Sequence, residues 1–88
     1  MSDQNLIKAE AILEKARKQL GFLFEGTDDT YSGRSMYDTQ TFAAIVSNVR
    51  DADALAYLAS KDCPYSFKVD NYGKQYVVYC PHLATELN

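Results

Sequence analysis

Apolar residues recur along the first quarter of the chain at alternating steps of three and four: Leu6, Ala9, Leu13, Ala16, Leu20 and Leu23. That spacing is one stripe of an amphipathic helix, and Ile12 beside it widens the stripe. Lys8, Glu14, Lys15, Arg17 and Lys18 take the remaining surface, with Glu14 and Lys18 forming an i,i+4 pair. Gly21 is the expected C-cap, and the basic residues just before it suit the negative end of the helix dipole. The stripe predicts a helix packed on this chain's own sheet. A partner-helix seam is the other reading, although the run is shorter than a coiled coil usually needs.

The apolar period stops over residues 25–40, where Gly, Ser, Thr and Asp dominate. This reads as a long loop, and loops of that length tend to be functional or disordered. Next comes Thr-Phe-Ala-Ala-Ile-Val at Thr41–Val46, a short apolar run that predicts a buried strand. Asp51 then reads as the N-cap of a short second helix with Ala54, Leu55 and Leu58 inward, ending near Ser60. Cys63-Pro64 breaks that helix. Residues 65–69 alternate as a strand, Asn71-Tyr72-Gly73 is turn chemistry, and residues 75–80 form the return strand. The expected architecture is α+β: a small three-stranded antiparallel sheet with two helices on one face, in the order α-loop-β-α-β-β, as one domain spanning 1–88. Its expected core is Leu13, Leu20, Phe42, Ile45, Leu55, Leu58, Phe67 and Val77.

Composition narrows the function classes. The chain has 88 residues, 47% of them hydrophobic and 24% charged, which is globular rather than disordered composition. The formal net charge of −3 argues against a sequence-independent nucleic-acid binder, which needs clustered Lys and Arg. The N-terminus carries no basic and apolar signal pattern, and no apolar run approaches a membrane span, so a cytoplasmic location is expected. With two cysteines and no export signal, free thiols in a reducing compartment are expected.

Candidate chemistry is sparse. Cys63, Cys80 and His82 are the only soft metal ligands, and three without Cys-x-x-Cys spacing fall short of a structural zinc set. If Asp70 lies opposite Gly73 in the hairpin, Cys63 and Cys80 face each other. If Asp70 faces Lys74, they miss by one residue and point to opposite faces. Asp28-Asp29 lacks the rest of an EF-hand loop, and Gly26 and Gly33 form no phosphate-binding motif. Ser32, Ser35, Cys63 and Cys80 are available as nucleophiles, but the only histidine, His82, lies in an unremarkable context, so no catalytic residue, metal or cofactor is expected.

Tyr31-Ser32-Gly33-Arg34-Ser35-Met36-Tyr37 is the most distinctive segment. Arg, Tyr and Met are the types enriched in interface cores, and a Gly-Arg segment flanked by aromatics suits presentation of Arg34 to a carboxylate or phosphate. Equally, Tyr31, Met36 and Tyr37 can pin the segment to the core with Arg34 paired to Asp28, Asp29 or Asp38. Followed by the strand Phe42-Ala43-Ala44-Ile45-Val46, this segment resembles a pattern in small uncharacterised accessory proteins of bacteriophages. That family often has glycine where this chain has Ser35 and Asp38. The resemblance implies a phage-encoded inhibitor, of the anti-CRISPR or host-takeover kind, that occludes a surface on a host enzyme or defence complex. The expected partner-binding residues are then Tyr31, Arg34, Met36, Tyr37, Asp28 and Asp29. Two other classes stand beside this one. A single-stranded nucleic-acid module would stack bases on Tyr65, Tyr76 and Tyr79. A metal- or redox-responsive domain would use Cys63, Cys80 and His82.

Overall fold

The computed structural model describes residues 2–31, 41–62 and 66–80. The first helix, α1, runs Ser2–Leu20 and buries Ala9, Ile12, Leu13 and Ala16. It ends as the sequence predicts. Gly21 takes a positive φ of 80°, and its N–H donates to the Arg17 carbonyl at 2.9 Å, which is the αL C-cap. The Arg17 guanidinium then fastens the exit of the helix, donating to Glu14 Oε1 at 2.8 Å and to the Phe22 carbonyl at 2.9 Å.

Leu20 departs from the expected core. It is the last residue of α1 and is 37% exposed, and Leu23, beyond the turn at Gly21 where the helical period no longer applies, is 81% exposed. Phe22 and Phe24, partly buried against the core, seal that end instead.

The sheet has four strands, not three. The segment Gly26–Tyr31, expected to be loop, is β1, and it pairs antiparallel with β2 at Thr41–Val46. Being polar suits β1 to its place at the sheet's edge, where charged side chains are the usual occupants. Its pairing runs Gly26↔Ile45, Thr27↔Ala44 and Asp28↔Ala43, then shifts to Tyr31↔Thr41. One extra residue on β1 makes this a bulge, and it decides which way Tyr31 points. Without it Tyr31 would face opposite to Asp28; with it the two share a face.

The second helix, α2, spans Val49–Ser60. Its N-cap is Asn48 rather than Asp51. The Asn48 Oδ1 accepts from the Asp51 backbone N–H at 2.8 Å, and the Asn48 amide donates to Asp51 Oδ2 at 3.0 Å. Asp51, in the first turn, thus holds the Asn48 side chain in its capping position. Asn48→Ala should therefore cost about 1 kcal/mol of stability, read from urea unfolding; an unchanged midpoint would mean that Asp51 or solvent replaces the cap. Ala52, Leu55, Ala56 and Ala59 are buried, while Ala54 and Leu58 are only partly so. At the far end, the Ser60 hydroxyl donates to the Ala56 carbonyl at 2.6 Å and accepts from the Phe67 N–H at 2.9 Å. Lys15 and Asp62, 3.4 Å apart, link the helices at the surface.

The hairpin is β3, Lys68–Tyr72, and β4, Gln75–Tyr79. Both strand and turn lie later than the alternation suggested. Tyr72 pairs with Gln75 around a two-residue Gly73-Lys74 loop. Gly73 at φ 67°, followed by a residue without positive φ, is the type II′ pattern. Asp70 faces Val77, which matches neither register considered above. Continued one step, the ladder sets Phe67 rather than Cys63 opposite Cys80. Cys80 is fully buried in the helix-side core, and Cys63 lies outside the described residues.

The strand order is β1-β2-β4-β3, antiparallel throughout. Both helices pack on one face, over Phe42, Ala44, Val46, Val78 and Cys80, with Val69 and Tyr76 partly buried alongside. Of the expected core, Leu13, Phe42, Leu55, Phe67 and Val77 are buried, while Ile45 and Leu58 are partly buried. No helix among the described residues is long and apolar enough to cross a membrane.

Candidate functional site

The sheet face turned away from the helices carries its own small core. Ala43 on β2 and Val77 on β4 are fully buried there, although neither helix covers them. Tyr79 is 3% exposed and packs with them, and Tyr31 and Ile45 are partly buried against the same cluster. Antiparallel partners share a face, so the ladders place Asp28, Tyr31, Tyr79, Lys68, Asp70 and Tyr72 together on this side. Small side chains on the two central strands leave room for tyrosine rings above them.

Hydrogen bonds cross this face in both directions. Tyr31 on β1 donates its hydroxyl to Asp70 Oδ2 on β3 at 2.9 Å. Tyr72 on β3 donates to Asp28 Oδ2 on β1 at 3.2 Å. Tyr79 adds a second phenol to Asp70 Oδ2 at 3.2 Å. An ionised carboxylate only accepts, so each Asp is matched by donors. The rings meet edge to face: Tyr31 and Tyr79 have centroids 4.8 Å apart, and Tyr31 and Tyr72 6.2 Å apart at 61°. The layer thus ties one edge strand to the other.

Within it Tyr72 is the outermost ring, 38% exposed. Its hydrogen bond to Asp28, the negative charge of Asp28 and a small loss of solvation hold its phenol above the usual tyrosine value. The sign follows from the neutral phenol being favoured in the folded state. The pair's contribution is fully present below the unfolded pKa of about 10 and is lost as pH rises through the higher folded value. In a near-ultraviolet tyrosinate titration, Tyr72→Phe should remove a component that ionises late, and Asp28→Ala should bring that component back toward the ordinary range. A late component that survives Tyr72→Phe would assign it to another tyrosine.

Of the expected partner-binding residues, Asp28 and Tyr31 come together here. Asp29 lies in β1, but its side chain is outside the described residues, as are Arg34, Met36 and Tyr37. Sequence reasoning missed Asp70 and Tyr72. The available signal was Lys68, Asp70 and Tyr72 at alternate positions, which marks one strand face once β3 is placed correctly. The tyrosines proposed to stack bases fare differently. Tyr76 packs partly buried toward the helices, Tyr79 is buried, and Tyr65 lies outside the described residues.

Among the described residues no group of three or more His, Cys, Asp and Glu could hold a metal ion, and His82 is not among them. A shallow depression lined by Asn48, Val49, Arg50 and Asp51 sits at the start of α2. The cap there is already satisfied within the chain, so the tyrosine face is the better-built candidate. No protein-family model matches this chain, and no curated protein or solved structure matches it.

Proposed function

We propose that this chain is a non-enzymatic binding module that acts by occluding a surface on a partner protein, with the sheet face turned away from α1 and α2, around Tyr72, as its docking surface. The observation that carries the reading is the contact between Tyr72 and Tyr31. Tyr31 is the last residue of β1 and the first of the Tyr-Ser-Gly-Arg-Ser-Met-Tyr segment, so the residue that opens the distinctive segment touches the tyrosine-bearing hairpin. Tyr72 is exposed yet held, by Asp28 at its hydroxyl and by Tyr31 at its ring. An exposed aromatic already fixed in one conformation loses little entropy on binding, which favours it as a hot spot. The chemistry also points away from acid–base catalysis. That task needs a pKa near the working pH, whereas Asp28 moves the Tyr72 phenol further above it. The resemblance to small bacteriophage proteins adds the class of partner, a host enzyme or defence complex, and the mode, inhibition.

The test compares wild type, Tyr72→Ala and Arg34→Ala as affinity baits in bacterial lysate, with captured proteins identified by mass spectrometry. A specific partner should be retained by wild type and weakened by about 2 kcal/mol or more with Tyr72→Ala, while circular dichroism shows the variant folded. Equal capture by all three baits places the docking surface elsewhere. Loss with Arg34→Ala alone confines docking to the segment after β1.

A further inference from the structure

The two edge strands of the sheet differ. The ladder of β1 with β2 is interrupted by its bulge, whereas β3 pairs with β4 from Lys68 to Tyr72 without a register shift. A bulge is one of the devices that blunt an edge against further pairing, and β3 lacks it. The turn fixes where the β3 backbone groups point. The Gly73-Lys74 loop closes on Tyr72 and Gln75 as a hydrogen-bonded pair, and such pairs recur at every second residue. Tyr72, Asp70 and Lys68 thus bond inward to β4, while Asn71 and Val69 turn their N–H and C=O groups outward. Phe67, next in the outward series, shows the same direction, since its N–H donates to Ser60 Oγ on α2 at 2.9 Å. Beyond that cover, none of the described residues bonds the outward groups of Val69 and Asn71. Val69 is only partly buried against the helix-side core. Lys68, on the opposite face, is exposed and forms no ion pair among the described residues.

We propose that the outer edge of β3 is a strand-addition site: an extended segment of a partner protein pairs antiparallel with Val69 and Asn71, carrying an apolar residue opposite Val69 and an acidic residue opposite Lys68. Outward N–H and C=O groups at a two-residue repeat are met by the backbone of another strand, and the alternate side chains give the specificity. The apolar residue extends the helix-side core over the uncovered flank of Val69. The acidic residue forms a cross-strand ion pair with Lys68. A second copy of the chain fits the edge less well. The two-fold register that pairs Val69 with Asn71 of the copy sets Asp70 directly opposite Asp70, and like charges so placed are destabilising. The site goes beyond the docking face around Tyr72, because it uses the backbone of β3 and not the Tyr72 ring.

The probe is the end-capped peptide Thr-Val-Thr-Val-Glu-Val, titrated into the isotope-labelled protein and followed by NMR. Set antiparallel, its glutamate meets Lys68, and its two inner valines meet Val69 and Asn71. Saturable shifts are expected at Val69 and Asn71, whose amide protons should exchange more slowly with peptide bound. Those of Lys68 and Asp70, already bonded to β4, should change little. Asn71→Pro deletes an outward N–H that the fold does not use, so it should leave circular dichroism unchanged and weaken binding about tenfold or more. The same peptide N-methylated at its two inner valines removes those bonds without altering the protein, and it should not bind. Replacing the peptide's glutamate by lysine should weaken binding, and Lys68→Glu should restore it. Tyr72→Ala should bind the peptide as wild type does. Equal binding of the N-methylated peptide, or no binding by wild type, would overturn the proposal. Loss of binding in Tyr72→Ala would overturn it too, by moving the contact to the Tyr72 face. So would a dimer of the chain alone that Asn71→Pro dissolves, since a second copy would then occupy the edge.

Discussion

Leu13→Ala should destabilise the protein by about 2–5 kcal/mol, a large share of the roughly 4–13 kcal/mol expected for a chain of this length. Leu13 is fully buried, and so are Ala9, Leu55 and Ala59 in the same cluster. Where α1 and α2 meet the sheet, alanines supply much of the packing, so Leu13 is one of the few large side chains filling the space between layers. Removing it leaves a cavity that small neighbours cannot close by changing rotamer. Leu20→Ala is the matched control. It deletes the same atoms from the same helix at a position 37% exposed, so its cost should be well under half as large. Both are read as shifts in the urea midpoint at constant slope. Similar losses from the two substitutions would mean that the end of α1 is packed as firmly as its middle.

That contrast also marks where the sequence was readable. The three- and four-residue steps from Ala9 to Ala16 carry the helix because burial there is local to one face, and Gly21 carries its end because αL geometry favours glycine. Beyond Gly21 the same arithmetic still places Leu23 on the helical stripe, since a period cannot report that the helix has stopped. Thr41–Val46 was legible as a strand because β2 is central and apolar on both faces. β1 was not legible, since Gly-Thr-Asp-Asp-Thr-Tyr contains nothing that burial would drive into a strand. Its structure comes from backbone hydrogen bonds to β2, whose paired residues lie ten or more positions away along the chain. Around the start of β3 the alternation correctly placed Phe67 and Val69 on the inward face. The turn was misplaced because Asn71 suits turns, but strand pairing continues to Tyr72 and leaves the bend to Gly73 and Lys74.

The candidate site was half legible for the same reason. Asp28 and Tyr31 stand out as an acid and an aromatic flanking a polar segment. Their partners Asp70 and Tyr72 are some forty residues away, as the separations of 39 and 44 in the two cross-face hydrogen bonds record. Bringing them together requires both the order β1-β2-β4-β3 and a bulge that turns Tyr31 to the face of Asp28. Neither has a local signature here.

Tyr79→Ala should rival the loss of Leu13, at about 3–5 kcal/mol by analogy with buried phenylalanines. The claim under test is that the helix-free face is a second core rather than a solvated surface. Tyr79 is 3% exposed, its ring packs on Tyr31 at 4.8 Å, and it shares a cluster with the fully buried Ala43 and Val77. Truncation would uncover those two residues and leave Tyr31 without the ring it leans on. Tyr79→Phe separates packing from hydrogen bonding. It keeps the ring and removes one of the two phenols that Asp70 Oδ2 accepts, with the Tyr31 hydroxyl remaining. That change should cost about 1 kcal/mol. The two variants also separate stability from docking. Tyr79→Phe leaves Tyr31 supported and the Tyr31–Tyr72 ring contact intact, so partner capture should be unaffected. Tyr79→Ala removes the support and should weaken capture even where the chain remains folded. A Tyr79→Ala loss below about 1 kcal/mol would show that Ala43 and Val77 are shielded by something other than the tyrosine layer. The preorganisation of Tyr72 would then need another source.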